Sequence, residues 1–201
     1  MNVYVITYPV PKKINQLVDI NEVDFVIAVD QAIPYILKQQ IKIDYAIGDF
    51  DSLKDLHMLE NLNYKRLPIE KDQTDTFEAL TFAYQMENVD QVYLLGGLGG
   101  KRFEHSYAHL LFLQQFKGLM LIDDQTTIQI LKKGIYQTDF KGYISVFSIK
   151  PSMISLKGFK YPLDHYKLLP SDALGISNET LKTTATVEIH SGQIMFIITN
   201  K

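Results

Sequence analysis

The segment Tyr45-Ala46-Ile47-Gly48-Asp49-Phe50-Asp51-Ser52 decides how the rest of the chain is read. A short apolar run ends in a glycine, and two carboxylates follow with one aromatic residue between them. An apolar run without polar alternation is the pattern of a strand covered on both faces, which belongs to a parallel sheet flanked by helices. In such sheets ligands bind beyond the carboxyl ends of the strands, where this segment turns acidic.

The same pattern recurs outward from that segment. Residues 3–7, 25–29, 92–95 and 119–122 are further short runs rich in Val, Ile, Leu and Tyr. Helices are predicted between the runs, over 31–40, 53–61, 74–87 and 104–116. Asp75 and Glu78 fit a capping pair at the start of the third helix, with Phe77, Leu80 and Tyr84 on one face. Ala108, Leu111 and Phe112 share a face in the fourth. Strand–helix alternation predicts an α/β fold with a mostly parallel sheet and flanking helices. After Asp124 the texture changes to β-branched and aromatic runs at 126–131, 143–149, 153–155, 184–190 and 194–199. Lys133-Gly134, Lys141-Gly142 and Ser191-Gly192 read as turns between them, the last closing a hairpin. Residues 1–124 are therefore expected to form an α/β domain and residues 125–201 an all-β sandwich domain.

Composition narrows the function. The chain has 201 residues, 46% hydrophobic and 21% charged, enough for one large domain or two small ones with real cores. With no cysteine, disulfide scaffolds, thiol chemistry and cysteine zinc sites are excluded. A net charge of −3 supplies no field to hold a polyanion, so no nucleic-acid partner is expected. No apolar run reaches the ~18 residues of a bilayer span, so no membrane partner is expected either. Met1-Asn2-Val3-Tyr4-Val5-Ile6 lacks the basic start of a secretory signal, and a soluble, cytoplasmic protein is the expectation.

Four segments at strand ends carry chemistry. Asp49 and Asp51 stand at i and i+2 after a glycine, an arrangement that offers hard oxygen ligands to magnesium; capping the next helix would also explain either one. Lys71-Asp72-Gln73-Thr74-Asp75 brings a cation, two carboxylates, an amide and a hydroxyl to a helix N-terminus. An N-cap would account for Asp75, but not for Asp72 or Lys71. Gly96-Gly97-Leu98-Gly99-Gly100-Lys101-Arg102 lies between a strand and a helix. Its glycines let a backbone approach phosphate oxygens and its arginine can clamp them. It is neither a P-loop, since Leu95 takes the place of the first glycine, nor a Rossmann fingerprint, since Arg102 takes the place of the third. Asp30 ends the 25–29 strand as a further carboxylate or as a cap. His105 and His109 share a helix face, but no third ligand suggests zinc. Together these groups are the equipment of metal-assisted phosphoryl transfer.

In order along the chain, Gly48-Asp49-Phe50-Asp51-Ser52, Lys71-Asp72-Gln73-Thr74-Asp75 with Glu78-Ala79-Leu80, and Gly97-Leu98-Gly99-Gly100-Lys101-Arg102-Phe103-Glu104-His105 resemble the thiamine pyrophosphokinase family. Gly158-Phe159-Lys160-Tyr161-Pro162-Leu163 and Gly175-Ile176-Ser177-Asn178-Glu179 resemble its β-domain. The resemblance implies transfer of the pyrophosphoryl unit of ATP to the hydroxyethyl group of thiamine, giving thiamine diphosphate and AMP. It implies Mg2+ as cofactor, an ATP- and magnesium-binding domain over 1–124, a thiamine-binding domain over 125–201, and a homodimer with its active site at the subunit interface. By position it implies catalytic roles for Asp49, Asp51, Asp75 and Asp72, with Asp49, Asp51 and Asp75 on the metal. Lys71, Gln73, Thr74, Gly97, Gly100, Arg102 and His105 would contact the nucleotide, and Asp30, Ser177 and Asn178 the thiamine. The chain departs from the family pattern at Ala32, where glycine is usual, at Glu104, where aspartate is usual, and at His109, where asparagine is common. A magnesium-dependent phosphohydrolase using the same carboxylates, or an inactive thiamine- or nucleotide-binding module, are the alternatives.

Overall fold

The computed structural model describes residues 1–181 and 183–201. The chain forms two compact units, Met1–Asp124 and Gln125–Lys201.

The first unit is built on six strands: β1 (Asn2–Thr7), β2 (Phe25–Val29), β3 (Tyr45–Gly48), β4 (Tyr64–Arg66), β5 (Gln91–Gly96) and β6 (Met120–Ile122). Their order is β4-β3-β2-β1-β5-β6, and every pairing is parallel. The chain winds outward from β1 through β2 and β3 to β4, then returns to β5 on the other side of β1. The gap between β1 and β5 is thus a topological switch point, where loops leaving neighbouring strands diverge and open a crevice. Val3, Val5, Ile6, Ile27, Ala28, Ile47, Leu94 and Leu95 are fully buried, because helices cover both faces of the sheet. α1 (Ile33–Lys38) buries Ile33 and Ile36 in the cluster that holds Tyr4, Ile6, Val26 and Ala46. α2 (Asp75–Gln85) buries Ala79, Leu80 and Ala83 and packs on β1, β2 and β3; α3 (Phe103–Gln115) buries Phe112 and Leu113.

At three places the structure departs from or adds to the sequence reading. Residues 53–61 do not form a helix; only a 3-10 turn over Leu56–Leu59 does. Asp55 is extended, with φ −134°, and its carboxylate takes the His57 N–H at 3.0 Å, so the turn starts late and buries little beyond Leu59. β4 gave no sequence signal, because three exposed residues on a sheet edge carry no apolar run. The cap of α2 is Thr74, whose Oγ1 accepts the Phe77 N–H at 3.2 Å, and Asp75 is the first helical residue. Its carboxylate is therefore not used as an N-cap.

The second unit holds β7 (Thr126–Thr138), β8 (Tyr143–Lys157), β9 (Leu163–Leu168) and β10 (Ala185–Thr199), antiparallel in the order β7-β10-β8-β9. The expected hairpin at Ser191-Gly192 is absent, and β10 runs straight through it as a bulge. Lys133-Gly134 likewise lies inside β7, and residues 149–153 inside β8. The register shifts of β10 against both neighbours fall between Ile189 and Ile194, so the three strands bend together there. Ser152 holds the bend: its buried hydroxyl accepts the Gln193 N–H at 2.9 Å and donates to the Lys150 carbonyl at 2.6 Å. The bulge also reverses side-chain parity. Val187 and Ile189 point inward before it and Ile194 and Phe196 after it, so both halves of the strand feed one core. The expected all-β unit is thus built on one bent antiparallel sheet around one core.

Candidate functional site

At the carboxyl ends of β2 and β3 the backbone is drawn tight. Asp30 leaves β2 with φ 43°, and Gly48 ends β3 beside it. A Cβ on Gly48 would sit 3.0 Å from both Cα and Cβ of Asp30, so the two loops meet only because residue 48 has no side chain. Phe50, at φ 61° and 2% exposed, drives its ring inward edge-on to Tyr64, with the Arg66 guanidinium 5.7 Å from the ring centre. Burying the middle residue turns the flanking carboxylates the other way, Asp51 exposed and Asp49 largely covered. The Asp51 N–H donates to Asp49 Oδ1 at 3.2 Å, and Ser52 Oγ to Asp51 Oδ1 at 2.9 Å. One carboxylate oxygen from each of Asp30, Asp49 and Asp51 lies within 4.8 Å of the others. Asp30 Oδ1 is buried without a hydrogen-bond donor among the described residues.

Lys71 closes the cluster from below. Its ammonium donates to Asp49 Oδ2 at 2.8 Å and to the Pro68 carbonyl at 3.0 Å, and stands 3.1 Å from Asp75 Oδ1, out of line for a good hydrogen bond. Charge follows from these contacts. Burial pushes Asp30 above the ordinary carboxylate range, and the charges of Asp75, Asp49 and Asp51 push the same way against the Gln31 N–H. Burial also raises Asp75, more than Lys71 lowers it. For Asp49 burial is outweighed by Lys71 and the Asp51 N–H, and its carboxyl is held low. Burial would lower Lys71, but Asp49 and Asp75 hold its ammonium above its usual value. The structure thus groups Asp30 with Asp49 and Asp51, and sets Asp75 behind Lys71. Asp72 and Gln73 are exposed and hydrogen-bond to nothing among the described residues.

The glycine loop lies at the switch point. Gly96 has φ 80°, and a Cβ there would fall 2.2 Å from the Pro9 carbonyl. The Gly97 N–H donates to that same carbonyl at 2.9 Å. The segment after β1 and the loop after β5 thereby form the walls of a cavity of about 280 Å³, lined by Tyr8, Pro9, Gln31, Gly99, Gly100, Lys101, Arg102 and His105. Gln31 follows Asp30, so this cavity adjoins the acidic cluster. Arg102 pairs with Glu104, Nε to Oε1 2.9 Å, both well exposed. Sequence reasoning missed Tyr8, Pro9 and Gln31, which carry no charge pattern, and the buried pair Thr7 Oγ1–Thr76 Oγ1, 2.9 Å apart, that ties β1 to α2. It also passed over Ser106, and weighed His109 only against zinc; the helix spacing of both was visible but not the carbonyls they reach.

Ser177 and Asn178 lie in the second unit, on a cavity of about 620 Å³ lined also by Tyr161, Leu163, Leu174 and Ile176. Asn178 is buried and both ends of its amide are engaged: Oδ1 accepts the Tyr161 and Glu179 N–H groups, and Nδ2 donates to the Tyr161 carbonyl at 2.8 Å. It shapes the wall of the cavity. Ser177, at φ 55°, is exposed and donates its N–H to Ser145 Oγ.

A doubly wound unit with carboxylates and a glycine loop on its carboxyl edge, joined in sequence to a bent antiparallel unit, defines an enzyme of the phosphoryl-transferring, kinase class. Residues 18–122 match the family described as Thiamin pyrophosphokinase, catalytic domain, and residues 125–194 match Thiamin pyrophosphokinase, vitamin B1 binding domain. The chain is similar to the thiamine pyrophosphokinase of Bacillus subtilis (strain 168), 30% identical over 194 residues and 85% of each chain. The crystal structure of thiamine pyrophosphokinase from Bacillus subtilis superposes with TM-score 0.83, at 25% identity over 100% of both chains. That of the thiamin pyrophosphokinase family protein from Enterococcus faecalis gives 0.82, again at 25% and over 100% of both. The Candida albicans enzyme, 16% identical over 99% of this chain and 89% of its own, shares the fold at 0.71. The chain belongs to the thiamine pyrophosphokinase family, and it is an enzyme, a kinase among the transferases.

Proposed function

We propose that this enzyme transfers the β,γ-pyrophosphoryl unit of ATP to the hydroxyethyl oxygen of thiamine, forming thiamine diphosphate and AMP with magnesium as cofactor. The observation that carries the reading is the convergence of Asp30, Asp49 and Asp51 beside a cavity walled by a glycine loop. The donor set fits the metal: three carboxylates offer hard oxygens, and the buried Asp30 Oδ1 lacks any other partner. Asp49 and Asp51, with Asp30, would hold it. Held there, magnesium would supply charge neutralisation and Lewis-acid polarisation of the phosphoryl group.

The residues supply the rest. The glycine loop offers backbone N–H groups to phosphate oxygens, with Gly97 and Gly100 allowing the approach. Arg102 and His105 flank the loop and face the same anion. Lys71 orients Asp49 and Asp75. The thiamine hydroxyl oxygen forms a bond to the β-phosphorus as the bond from that phosphorus to the α–β bridging oxygen breaks. AMP leaves with that oxygen, and the hydroxyl proton passes to a carboxylate of the cluster. Asp72, Gln73 and Thr74 line the approach; Thr74 also caps α2. A cleft rich in carboxylates suits the thiazolium cation. Ser177 borders the thiamine in the second unit's cavity, with Asn178 bracing the wall. The proposal extends to a cytoplasmic location and to a homodimer, the dimer supported by the exposed apolar side chains Tyr161, Leu174, Ile176 and Leu181. No helix among the described residues is long and apolar enough to cross a membrane.

The test is to incubate the protein with ATP, magnesium and thiamine and to separate the products chromatographically. Thiamine diphosphate and AMP in equal amounts, abolished by EDTA, are expected. Phosphate or pyrophosphate released without thiamine would mean a hydrolase and refute the transfer.

A further inference from the structure

A run of glycines folds into a cradle only if something outside its own backbone holds it. Gly96, Gly97, Gly99 and Gly100 have φ of 80°, 79°, 74° and 84°, a shape glycine takes freely but leaves as freely. Two side chains from successive turns of α3 hold it. His109 is 2% exposed, and its Nδ1 lies 2.8 Å from the Gly97 carbonyl. A carbonyl only accepts, so Nδ1 carries the proton. Ser106 is 8% exposed, and its Oγ donates to the Gly99 carbonyl at 3.1 Å. The ring lies so close to the loop that a Cβ on Gly97 would meet Nδ1 at 2.5 Å. Burial keeps the imidazole below its usual pKa, against the pull of the carbonyl, so it is neutral near pH 7. The Gly97 N–H is taken by Pro9. The N–H groups of Leu98, Gly99, Gly100 and Lys101 donate to nothing among the described residues.

We propose that His109 and Ser106 are positioning residues for the nucleotide: by fixing the Gly97 and Gly99 carbonyls against α3 they pre-set the loop so that its free N–H groups meet the phosphate oxygens. This rests on the reading that the loop receives those phosphates. Neither side chain touches substrate; both act through the loop backbone. Pre-organisation of this kind removes ordering entropy from the binding step, so its loss raises the nucleotide's KM and leaves the other substrate's unchanged.

The experiment uses three variants of the full chain, with ATP and thiamine varied separately at saturating magnesium. His109→Leu keeps apolar bulk and removes the donor. His109→Asn keeps it, because Nδ2 occupies the place of Nδ1, one bond beyond Cγ. Ser106→Ala removes a single hydroxyl and tests the proposal even if His109→Leu fails to fold. Losing one hydrogen bond to the loop should raise KM for ATP about tenfold in His109→Leu and roughly three- to tenfold in Ser106→Ala. KM for thiamine should stay within about twofold, and His109→Asn within about threefold of wild type on both substrates. The proposal falls if both KM values rise together, if only the melting temperature moves, or if His109→Asn is as impaired as His109→Leu. Arg102→Met separates the two layers of inference. An unchanged KM for ATP in Arg102→Met overturns the loop as a phosphate site; a raised one, with Ser106→Ala and His109→Leu unaffected, overturns the positioning role alone.

Discussion

Replacing Lys71 by methionine keeps the length of the side chain and deletes its charge, which turns the acidic cluster against itself. The ammonium stands 2.8 Å from Asp49 and 3.1 Å from Asp75, and the three side chains are 16%, 11% and 22% exposed. At an effective dielectric of about 20 the two attractions amount to about 6 and about 5 kcal/mol before desolvation is charged against them. Removing one partner of a buried pair costs about 3–5 kcal/mol, and the residual exposure here brings the expected loss to about 2–4. At ~2–4 °C per kcal/mol for a chain of this size, the melting temperature at pH 7.5 without magnesium should fall by about 5–15 °C. Calorimetry with EDTA measures that fall. Two further changes follow from the electrostatics. Millimolar magnesium should return a large part of the lost stability, since a divalent cation can answer the same carboxylates. Asp49 is held low in the folded protein, so its share of stability is present above the ordinary carboxylate pKa and is lost as the pH drops through the folded value. The gap between wild type and variant should therefore close below about pH 4. A fall of less than about 1 °C at pH 7.5, or a deficit indifferent to magnesium, would refute the assignment of Lys71 as the counter-charge of this site.

Three more outcomes are expected. Asp51→Asn should lower kcat by about 100-fold or more with the melting temperature within about 2 °C, because the carboxylate is exposed and packs nothing; steady-state kinetics beside a melt decides it. Gly48→Ala should force the Asp30 loop away from a Cβ 3.0 Å distant, costing about 1–3 kcal/mol and a larger share of activity than of stability, read by melts and turnover on one preparation. Wild type should lose stability relative to His109→Asn as the pH falls from about 6.5 towards 5, because the unfolded chain takes up a proton there that the buried ring, with His105 nearby, refuses; parallel melts at pH 7.5 and 5.5 measure it.

The α/β unit was legible because its strands are buried on both faces and so write unbroken apolar runs; β2 begins and ends where the pattern places it. β4 was not, since an exposed edge of three residues leaves no such trace. In the second unit the sequence marks the bend of β10 with serine and glycine but does not say whether the chain reverses or only bends. At Ser191-Gly192 it bends, and the deciding group, the Ser152 hydroxyl, comes from another strand. The site divides the same way. The carboxylates and the glycine loop stood out by their spacing. Asp75 resembled a cap until Thr74 was seen to take that role. The closeness of Asp30 to Asp49 depends on space beside Gly48, which is a property of two strands and not of either segment.

The position of β1 at the centre of its sheet bears on how the enzyme is made. β1 pairs with β5, Asn2 against Gln91 through Thr7 against Gly96, so β1 has its neighbour β2 long before β5, its second neighbour, has been made. Until that ladder closes, Pro9 has no glycine loop to receive and the crevice has one wall. A chain that already carries every carboxylate of the cluster still lacks the glycine-loop wall of the crevice. Such long-range parallel pairing is intrinsically slow to form, and ligand binding rewards only the finished sheet. A ligand held by the glycine loop would therefore stabilise only chains in which β5 has joined the sheet.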